Sequence, residues 1–118
     1  MNEQPVLQVI FFHNPSGQEP VREWLKDMDK NDRTVIGEDI KLAQFRWPLG
    51  MPLGRKLAAD LWEVRSHLTG GRIARVFFTL QKTEMVLLHG FFKKSPKTPD
   101  DELALAKARN NLWWQGVE

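Results

Sequence analysis

The spacing of apolar and polar positions predicts a strand and then an amphipathic helix at the start of the chain. Residues 6–12 are a short β-branched and aromatic run, which favours a strand. Ser16 and Glu19 have the spacing of a capping box, in which the two side chains satisfy free backbone N–H groups at a helix start. Four apolar residues then recur at helical spacing: Val21, Trp24, Leu25 and Met28. This pattern predicts a helix that packs one face on an apolar surface.

A second helix and a loop are predicted next. Asn31 or Asp32 can cap a helix over residues 33–45, because a short polar side chain accepts hydrogen bonds from the first backbone N–H groups. Only a few residues separate the two helices, which favours an antiparallel hairpin. Residues 47–54 contain two prolines and two glycines and are predicted to form a loop. The loop ends at a basic pair, Arg55 and Lys56.

Three apolar runs in the middle of the chain alternate between two faces, as β-strands do. They span residues 61–66, 73–80 and 85–93, and strict alternation puts Leu87 and His89 on the same face. The runs carry polar or cationic groups among their hydrophobic residues: Arg65, Arg75, His89 and Lys93. If the strands pair as a meander, these four side chains can share one face of the sheet, although alternation does not fix the register.

The last predicted element is a helix with a clear start. Thr98 fits the N-cap position and Pro99 the first helical position, and three acidic residues follow where the helix dipole favours negative charge. The helix is predicted to end near residue 112 with an apolar stripe on its buried side: Leu105, Ala108 and Leu112. Trp113 and Trp114 follow, and they either fold back on the core or contact a partner.

The element order β-α-α-β-β-β-α predicts an α+β fold, with an antiparallel-rich sheet packed on a helical hairpin and a C-terminal helix. A length of 118 residues is typical of one domain, so residues 1–118 are predicted to form a single domain. The chain has no cysteine, no secretory leader and no apolar run near the ~20 residues that span a bilayer. These features predict a cytoplasmic protein without a membrane partner.

The charges are distributed unevenly, although the net charge is only +2. Residues 1–40 hold eight acids and four bases, whereas residues 41–97 hold eleven bases and three acids. Residues 98–118 are acidic again, with four acids and two bases. A basic middle segment of this kind suggests a surface that binds a polyanion. The alternative is that lysines on exposed strand edges prevent aggregation.

The residue types of the middle segment argue against several kinds of site. The three histidines lie far apart in sequence and no acidic cluster accompanies the basic segment, which argues against a metal site. The glycine-rich signatures of phosphate and dinucleotide binding are absent, as is the nucleophile elbow of serine hydrolases. The sequence therefore predicts neither a metal nor a cofactor. Cations with one imidazole suit the cleavage of RNA, whose own 2′-OH is the nucleophile.

Each candidate residue has a role that this chemistry needs. Arg65 and Arg75 could hold the scissile phosphate, because a guanidinium binds phosphate through two parallel hydrogen bonds. His89 could be the base or the acid, and Lys93 could stabilise the developing charge. Further cations would bind the RNA around this set: Arg55, Lys56, Arg72, Lys94 and Lys97. Two alternatives stay open, because strand arginines commonly pair with helix acids and His89 could be a hydrogen-bonded core residue.

Four short motifs follow one another along the chain: KL at 56–57, LWEVR at 61–65, RVFF at 75–78 and LHGFFKKSPKTP at 88–99. With these motifs the sequence resembles the RelE/HigB superfamily of toxins from type II toxin–antitoxin modules, in its phage-derived branch. The last motif is the most specific of the four. The helical hairpin also fits in place and length, so the resemblance covers most of the chain.

The resemblance implies a compact α+β fold and a metal-independent mRNA endonuclease that cuts in the ribosomal A site and inhibits translation. It also implies silencing by a cognate antitoxin, usually a helix-turn-helix (HigA-like) protein, in a toxin–antitoxin hetero-oligomer. At the matching positions, Arg65 and Arg75 would bind the scissile phosphate and Lys56 would lie at the RNA approach. Lys93 and Lys94 would stand in the place of active-site cations.

The chain departs from the family pattern at one position that bears on activity. The usual tyrosine of the third motif is Phe78, and the chain contains no tyrosine. His89 or a lysine would then have to transfer the proton. The alternative prediction is a non-catalytic, degenerate module with the toxin fold that binds RNA or a regulatory partner.

Overall fold

The computed structural model describes residues 6–47, 54–94 and 99–116, which form a five-stranded mixed sheet and three α-helices. The elements, in chain order, have these bounds: β1 Gln8–Phe11, α1 Pro20–Asp27, α2 Lys30–Arg46, β2 Gly54–Ala58, β3 Leu61–His67, β4 Ile73–Gln81, β5 Glu84–Phe92 and α3 Asp100–Trp114. The predicted α+β class is confirmed, and the arrangement is consistent with a RelE-like fold. None of the described helices is long and apolar enough to cross a membrane.

The strands lie in the sheet in the order β1-β5-β4-β3-β2. β1 runs parallel to β5, and the other neighbouring pairs are antiparallel, so the sheet is antiparallel-rich as predicted. Helices α1 and α2 bury Val21 and Ile36 against one face of the sheet, which we call the hairpin face. Helix α3 buries Ala106 against the other, which we call the α3 face. Each face therefore has its own apolar core.

The structure contains one strand more than the sequence predicts. β2 covers Gly54–Ala58, where the end of a loop was expected, and it pairs antiparallel with β3. Its sequence GRKLA has no alternation of apolar residues, so the backbone hydrogen bonds to β3 hold it extended. It lies at the edge of the sheet, where basic residues discourage pairing with other chains. Residues 48–53 of the predicted loop lie outside the described residues.

A β-bulge in β5 changes which of its side chains share a face. Phe77 of β4 lies opposite His89, but the next residue, Phe78, lies opposite Leu87, so Leu88 is an extra residue in the ladder. An extra residue reverses the alternation beyond it. Leu87 therefore packs in the core of the hairpin face, whereas His89 contacts α3. The prediction that these two side chains share a face is wrong for this reason.

Gly90 allows α1 to pack closely on β5. A Cβ atom at this position would lie 2.4 Å from Cε3 of Trp24. The indole of Trp24 therefore lies directly over the backbone of Gly90, and its ring centre is 5.4 Å from that of Phe92. Trp24 was predicted on the packed side of the first helix, which the structure confirms.

The first helix begins without the predicted capping box. The hydroxyl of Ser16 donates a hydrogen bond of 2.7 Å to Oδ1 of Asn14, and the N-cap Glu19 makes no side-chain cap. The same Asn14 oxygen accepts hydrogen bonds from the backbone N–H groups of Ser16 and Gln18, at 3.1 and 2.9 Å. Asn14 closes the turn because an asparagine side chain readily bonds backbone two or more residues ahead. Ser16 is therefore bonded within this turn, four residues before the helix starts, and does not cap the helix.

Helix α3 buries a different side from the one predicted, although Leu112 of the predicted stripe does pack against the core. Ala106 and Asn110 are buried, whereas Leu105 is 39% exposed and Ala108 is also exposed. The helix carries apolar residues on both sides, so their spacing alone does not show which side packs. The predicted N-cap residue, Thr98, lies outside the described residues.

The tryptophans at the end of α3 fold back onto the sheet. Nε1 of Trp113 donates a hydrogen bond of 2.8 Å to Oε1 of Gln81, and Nε1 of Trp114 donates one of 3.3 Å to Oγ1 of Thr79. Both acceptors lie at the end of β4. Of the two alternatives for this tryptophan pair, folding back is the one realised, although Trp114 remains 47% exposed.

Candidate functional site

Two oppositely charged side chains form a buried pair on the α3 face. Glu63 of β3 and Arg75 of β4 expose 0% and 2% of their side-chain surface. Nε and Nη2 of Arg75 donate hydrogen bonds to the two carboxylate oxygens of Glu63, at 3.1 and 2.5 Å. The rings of Phe77 and Phe91 lie 5.4 and 5.7 Å from the guanidinium carbon. The pair is held in one geometry, because each buried charge relies on the other to replace its lost hydration.

Arg65 extends this pair toward solvent. It lies directly opposite Arg75 in the β3–β4 ladder, and its Nε atom lies 3.8 Å from Oε1 of Glu63. That distance is an ion pair but too long for a hydrogen bond. Within the described part of the chain the buried Nε has no hydrogen-bond partner, while about 30% of the side chain is exposed. In this Arg65–Glu63–Arg75 cluster, Arg65 is therefore the guanidinium that reaches solvent, whereas Arg75 is buried.

The buried position of Arg75 differs from that expected of a phosphate-binding arginine. Its guanidinium is committed to Glu63, so a phosphate could reach it only if that pair opened. The sequence left open that strand arginines pair with acids. This alternative is realised for Arg75, with the acid on the neighbouring strand instead of on a helix.

His89 lies beneath α3 with both ring nitrogens engaged. Its Nε2 lies 2.7 Å from Oε1 of Glu102, and its Nδ1 lies 3.3 Å from Nη1 of Arg109. The ring stacks on Phe91 with 5.4 Å between ring centres and meets Phe77 edge-on at 6.4 Å. Burial lowers the pKa of His89 from its ordinary value, and the hydrogen bond to Glu102 acts in the opposite direction. His89 is thus a hydrogen-bonded residue of the α3 face that connects to a partly exposed carboxylate.

Glu102 and Arg109 belong to this site although the sequence alone does not single them out. In the sequence Glu102 is one of three first-turn acids, and Arg109 is a base in the second half of the helix. With Ala106 they have the spacing i, i+4, i+7, which places all three on one side of α3. That signal was present, but nothing in the sequence shows that this side packs on His89.

Lys93 and Lys94 follow β5, and the strand register places them near the Arg65–Glu63–Arg75 cluster. The backbone N–H of Lys93 donates a hydrogen bond of 2.7 Å to the carbonyl of Ile73, two residues from Arg75. Lys93 is partly exposed and Lys94 is exposed. The structure therefore places both at the solvent-facing end of the strands that carry the cluster. Lys97, which was predicted to bind RNA, lies outside the described residues.

Lys56 lies on the other side of the sheet. Its Nζ atom lies 5.3 Å from the ring centre of Trp62, which packs with Trp47 against the core of the hairpin face. The structure therefore does not bring Lys56 together with Arg65. Arg55, its neighbour in β2, lies opposite Glu63 in the backbone register.

Arg72 ties the turn between β3 and β4 to α2. Its Nη1 and Nη2 atoms donate hydrogen bonds of 2.8 Å each to the carboxylate of Asp32. The Asp32 side chain is only 7% exposed, whereas half of the Arg72 side chain is open to solvent. The hydrogen bonds from Arg72 lower the pKa of Asp32 from its ordinary value. Arg72 was predicted to bind RNA, but in the structure it forms a salt bridge with Asp32 that holds the β3–β4 turn against α2.

Replacing Asp32 with Asn is expected to destabilise the protein at pH 7, by an amount that shrinks on acidification. A carboxylate with a lowered pKa in the folded state contributes stability above its unfolded pKa of about 4. That contribution is lost as the pH falls through the folded pKa. Urea denaturation of both proteins between pH 3 and pH 7 measures the difference. The exposed Asp27→Asn serves as a control, and a difference for Asp32→Asn that stayed constant with pH would contradict the prediction.

In the ranges 6–47, 54–94 and 99–116, no group of three histidine or acidic residues could hold a metal ion. A mixed sheet with a helical hairpin on one face and a third helix on the other is consistent with a RelE-like fold. A family model described as phage derived protein Gp49-like (DUF891) matches residues 23–111. The chain belongs to this family, which is a toxin-like family of the RelE/HigB type. No curated protein matches the chain.

Proposed function

We propose that the protein is the toxin of a type II toxin–antitoxin module and cleaves mRNA on the ribosome without a metal ion. The observation that carries this proposal is the Arg65–Glu63–Arg75 cluster. Its buried ion pair holds beside it a second guanidinium, that of Arg65, which is about 30% exposed to solvent. A cation fixed before the reaction stabilises developing negative charge without reorganisation. Membership of a toxin-like family supports the same conclusion.

In the proposed reaction the 2′-OH of one nucleotide attacks the adjacent phosphate. Arg65 donates hydrogen bonds to the phosphate oxygens, whose charge grows in the transition state. Arg75 positions Glu63, and Glu63 positions Arg65, so the buried pair acts through the exposed guanidinium. Lys93 and Lys94 add positive charge at the end of the same strands. The remaining requirement is a group that accepts the proton of the 2′-OH.

The proposed partners follow from this activity and from the family. The protein would act in the cytoplasm on mRNA held in the ribosomal A site, with cations such as Arg55 and Lys97 contacting RNA. A cognate helix-turn-helix (HigA-like) antitoxin would silence it in a toxin–antitoxin hetero-oligomer.

Replacing Arg65 with Ala is expected to lower the rate of ribosome-dependent mRNA cleavage by about 10²- to 10³-fold, because one preorganised donor to the phosphate is lost. The assay combines purified protein, ribosomes and a defined mRNA, and growth arrest after induced expression is the cellular readout. The thermal midpoint should stay near the wild-type value, since the Glu63–Arg75 pair remains.

Arg46→Ala is the matched control for this experiment, because it removes an exposed arginine from α2 on the hairpin face. It should cleave at the wild-type rate. Wild-type cleavage by Arg65→Ala would rule out the proposed site. A wild-type protein that neither cleaves mRNA nor arrests growth would rule out the proposed activity.

The second candidate function is a non-catalytic module with the toxin fold that binds RNA or a regulatory partner. The observation that favours it is that both Arg75 and His89 are committed to internal partners. The chain also has no tyrosine to transfer a proton. This function predicts salt-dependent RNA binding without cleavage or growth arrest, since phosphate contacts weaken as salt rises. The cleavage assay above distinguishes the two functions.

A further inference from the structure

We propose that Glu102 positions His89 as the general base of the cleavage reaction, with Nδ1 as the basic nitrogen and Arg109 covering that nitrogen in the free protein. This inference rests on the proposed function and supplies the proton acceptor that the tyrosine-free chain otherwise lacks. Glu102 acts through His89, so it is a positioning residue, whereas His89 would touch the RNA.

The tautomer of His89 follows from its two contacts. A guanidinium only donates hydrogen bonds, so Nη1 of Arg109, 3.3 Å away, requires Nδ1 of His89 to be the acceptor. The ring proton then lies on Nε2, where it donates to the carboxylate of Glu102 at 2.7 Å. The two partners therefore select the same neutral tautomer independently of each other. A carboxylate behind one ring nitrogen orients the imidazole and stabilises the imidazolium that forms when the other nitrogen takes a proton.

Of the two hydrogen bonds that the Arg109 guanidinium makes to described residues, the one to Nδ1 of His89 is the longer. Nη1 of Arg109 also donates a hydrogen bond of 2.9 Å to the carbonyl of Leu88. The 2′-OH of the RNA can therefore replace Nη1 of Arg109 at Nδ1 of His89, at the cost of the 3.3 Å hydrogen bond. Arg109 keeps its hydrogen bond to the carbonyl of Leu88 in β5. About 11% of the His89 side chain and 28% of the Glu102 side chain are exposed, so the pair borders solvent.

The surroundings of His89 favour a base that is neutral before the reaction. Among the described residues, the charged groups that act on it are Glu102, Asp101 and Arg109, all on α3. From β4 and β5 it meets the rings of Phe77 and Phe91. Burial against the apolar residues of β4 and β5 disfavours the protonated imidazolium form of His89, and the carboxylates of α3 favour it. A neutral imidazole is the form that can accept a proton.

The proposed step balances in atoms and electrons. Nδ1 of His89 takes the proton of the 2′-OH, and the 2′-oxygen forms a bond to phosphorus. The bond between phosphorus and the 5′-oxygen breaks, and this oxygen takes a proton from water. The products are a 2′,3′-cyclic phosphate and a 5′-hydroxyl, and the imidazolium returns its proton to solvent. No metal, oxidant or other co-reactant takes part.

Nitrogen-15 NMR of the uniformly labelled full chain tests the tautomer. Two other histidines are present, His13 and His67, and the His89→Gln variant assigns the signals of His89. We expect a neutral ring at pH 7 with the proton on Nε2. In Glu102→Gln the amide oxygen can still accept this bond, so the tautomer should be kept while the pKa of His89 falls. A proton on Nδ1, or a charged ring at pH 7, would overturn the proposal.

Cleavage as a function of pH tests the role of the pair. We expect Glu102→Gln to cut about 10²-fold more slowly than wild type on ribosomes, with the acid limb of its pH–rate profile displaced to lower pH. The displacement follows because removing the carboxylate removes the effect that raises the pKa of His89. Asp100→Asn removes the same charge from the same helical turn without a contact to His89, and it should leave the profile unchanged.

The outcomes separate this inference from the function on which it rests. If wild type cleaves and Glu102→Gln has the wild-type rate and profile, the role of Glu102 is refuted while the nuclease function stands. If Glu102→Gln is slow but its acid limb is unmoved, Glu102 is only structural and the inference also fails. If wild type does not cleave, the function fails and the role of the pair fails with it.

Discussion

Replacing Glu63 with Gln is expected to lower the free energy of unfolding by about 3–5 kcal/mol, because it leaves the buried guanidinium of Arg75 without its counter-charge. The loss should be aggravated by Arg65, which lies directly opposite Arg75 on the neighbouring strand. Two like charges facing each other across a ladder repel, and Glu63 is the carboxylate that both guanidinium groups contact. Chemical denaturation at pH 7 measures the loss.

The same geometry predicts an asymmetry between the two partners of the pair. Arg75→Met removes one buried cation but leaves Glu63 with Arg65 at 3.8 Å, so it should be less destabilising than Glu63→Gln. The double variant Glu63→Leu with Arg75→Met should recover much of the loss, since apolar residues of similar size can replace a buried ion pair. Arg65→Met is the control for a partly exposed cation and should change stability by less than about 1 kcal/mol. Equal losses for Glu63→Gln and Arg65→Met would contradict this account.

Replacing Gly90 with Ala is expected to destabilise the protein by about 1–3 kcal/mol, although alanine suits an extended backbone better than glycine does. The added Cβ would lie 2.4 Å from two ring atoms of Trp24, which is closer than real atoms approach. Relief requires the indole to move away from β5 and to lose its contact with Phe92. Thermal or urea denaturation of the single variant measures the effect.

A double-mutant cycle identifies the cause of that effect. In a Trp24→Leu background the space above Gly90 is open, so Gly90→Ala should be neutral or slightly stabilising there. Trp24→Leu alone is expected to be destabilising, because it leaves a cavity beside β5. A loss for Gly90→Ala that was the same in both backgrounds would show that the contact with Trp24 is not its cause.

The fold class could be predicted because it depends on local periodicity. The alternating runs that became β3, β4 and β5 and the helical spacing around Trp24 are properties of neighbouring residues. β2 could not be predicted in this way, because its residues are held extended by hydrogen bonds to β3 and not by their own pattern. The buried side of α3 could not be predicted for a related reason. That helix carries apolar residues on two sides, and which side is buried depends on how the helix packs on the sheet.

The candidate site could be predicted in its residue types but not in its pairings. Arg65 and Arg75 stand out in the sequence as cations among hydrophobic residues, and the register places them directly opposite each other. Which of them reaches solvent depends on where the Glu63 carboxylate lies: Arg75 bonds both of its oxygens inside the core, whereas Arg65 lies 3.8 Å from one of them and is about 30% exposed. The exposed Arg65 is therefore a result of packing.

By itself, the sequence determined the α+β class, the basic middle segment and the set of cations with one imidazole. These follow from composition and from periods of two and 3.6 residues, which need no knowledge of distant contacts. Only the tertiary structure decided the chemistry of His89. One extra residue in β5 turns its ring toward α3, and the packing of that helix brings Glu102 and Arg109 to its two nitrogens. Such contacts join residues up to 20 positions apart in the chain, so they depend on register and packing, which no local pattern contains.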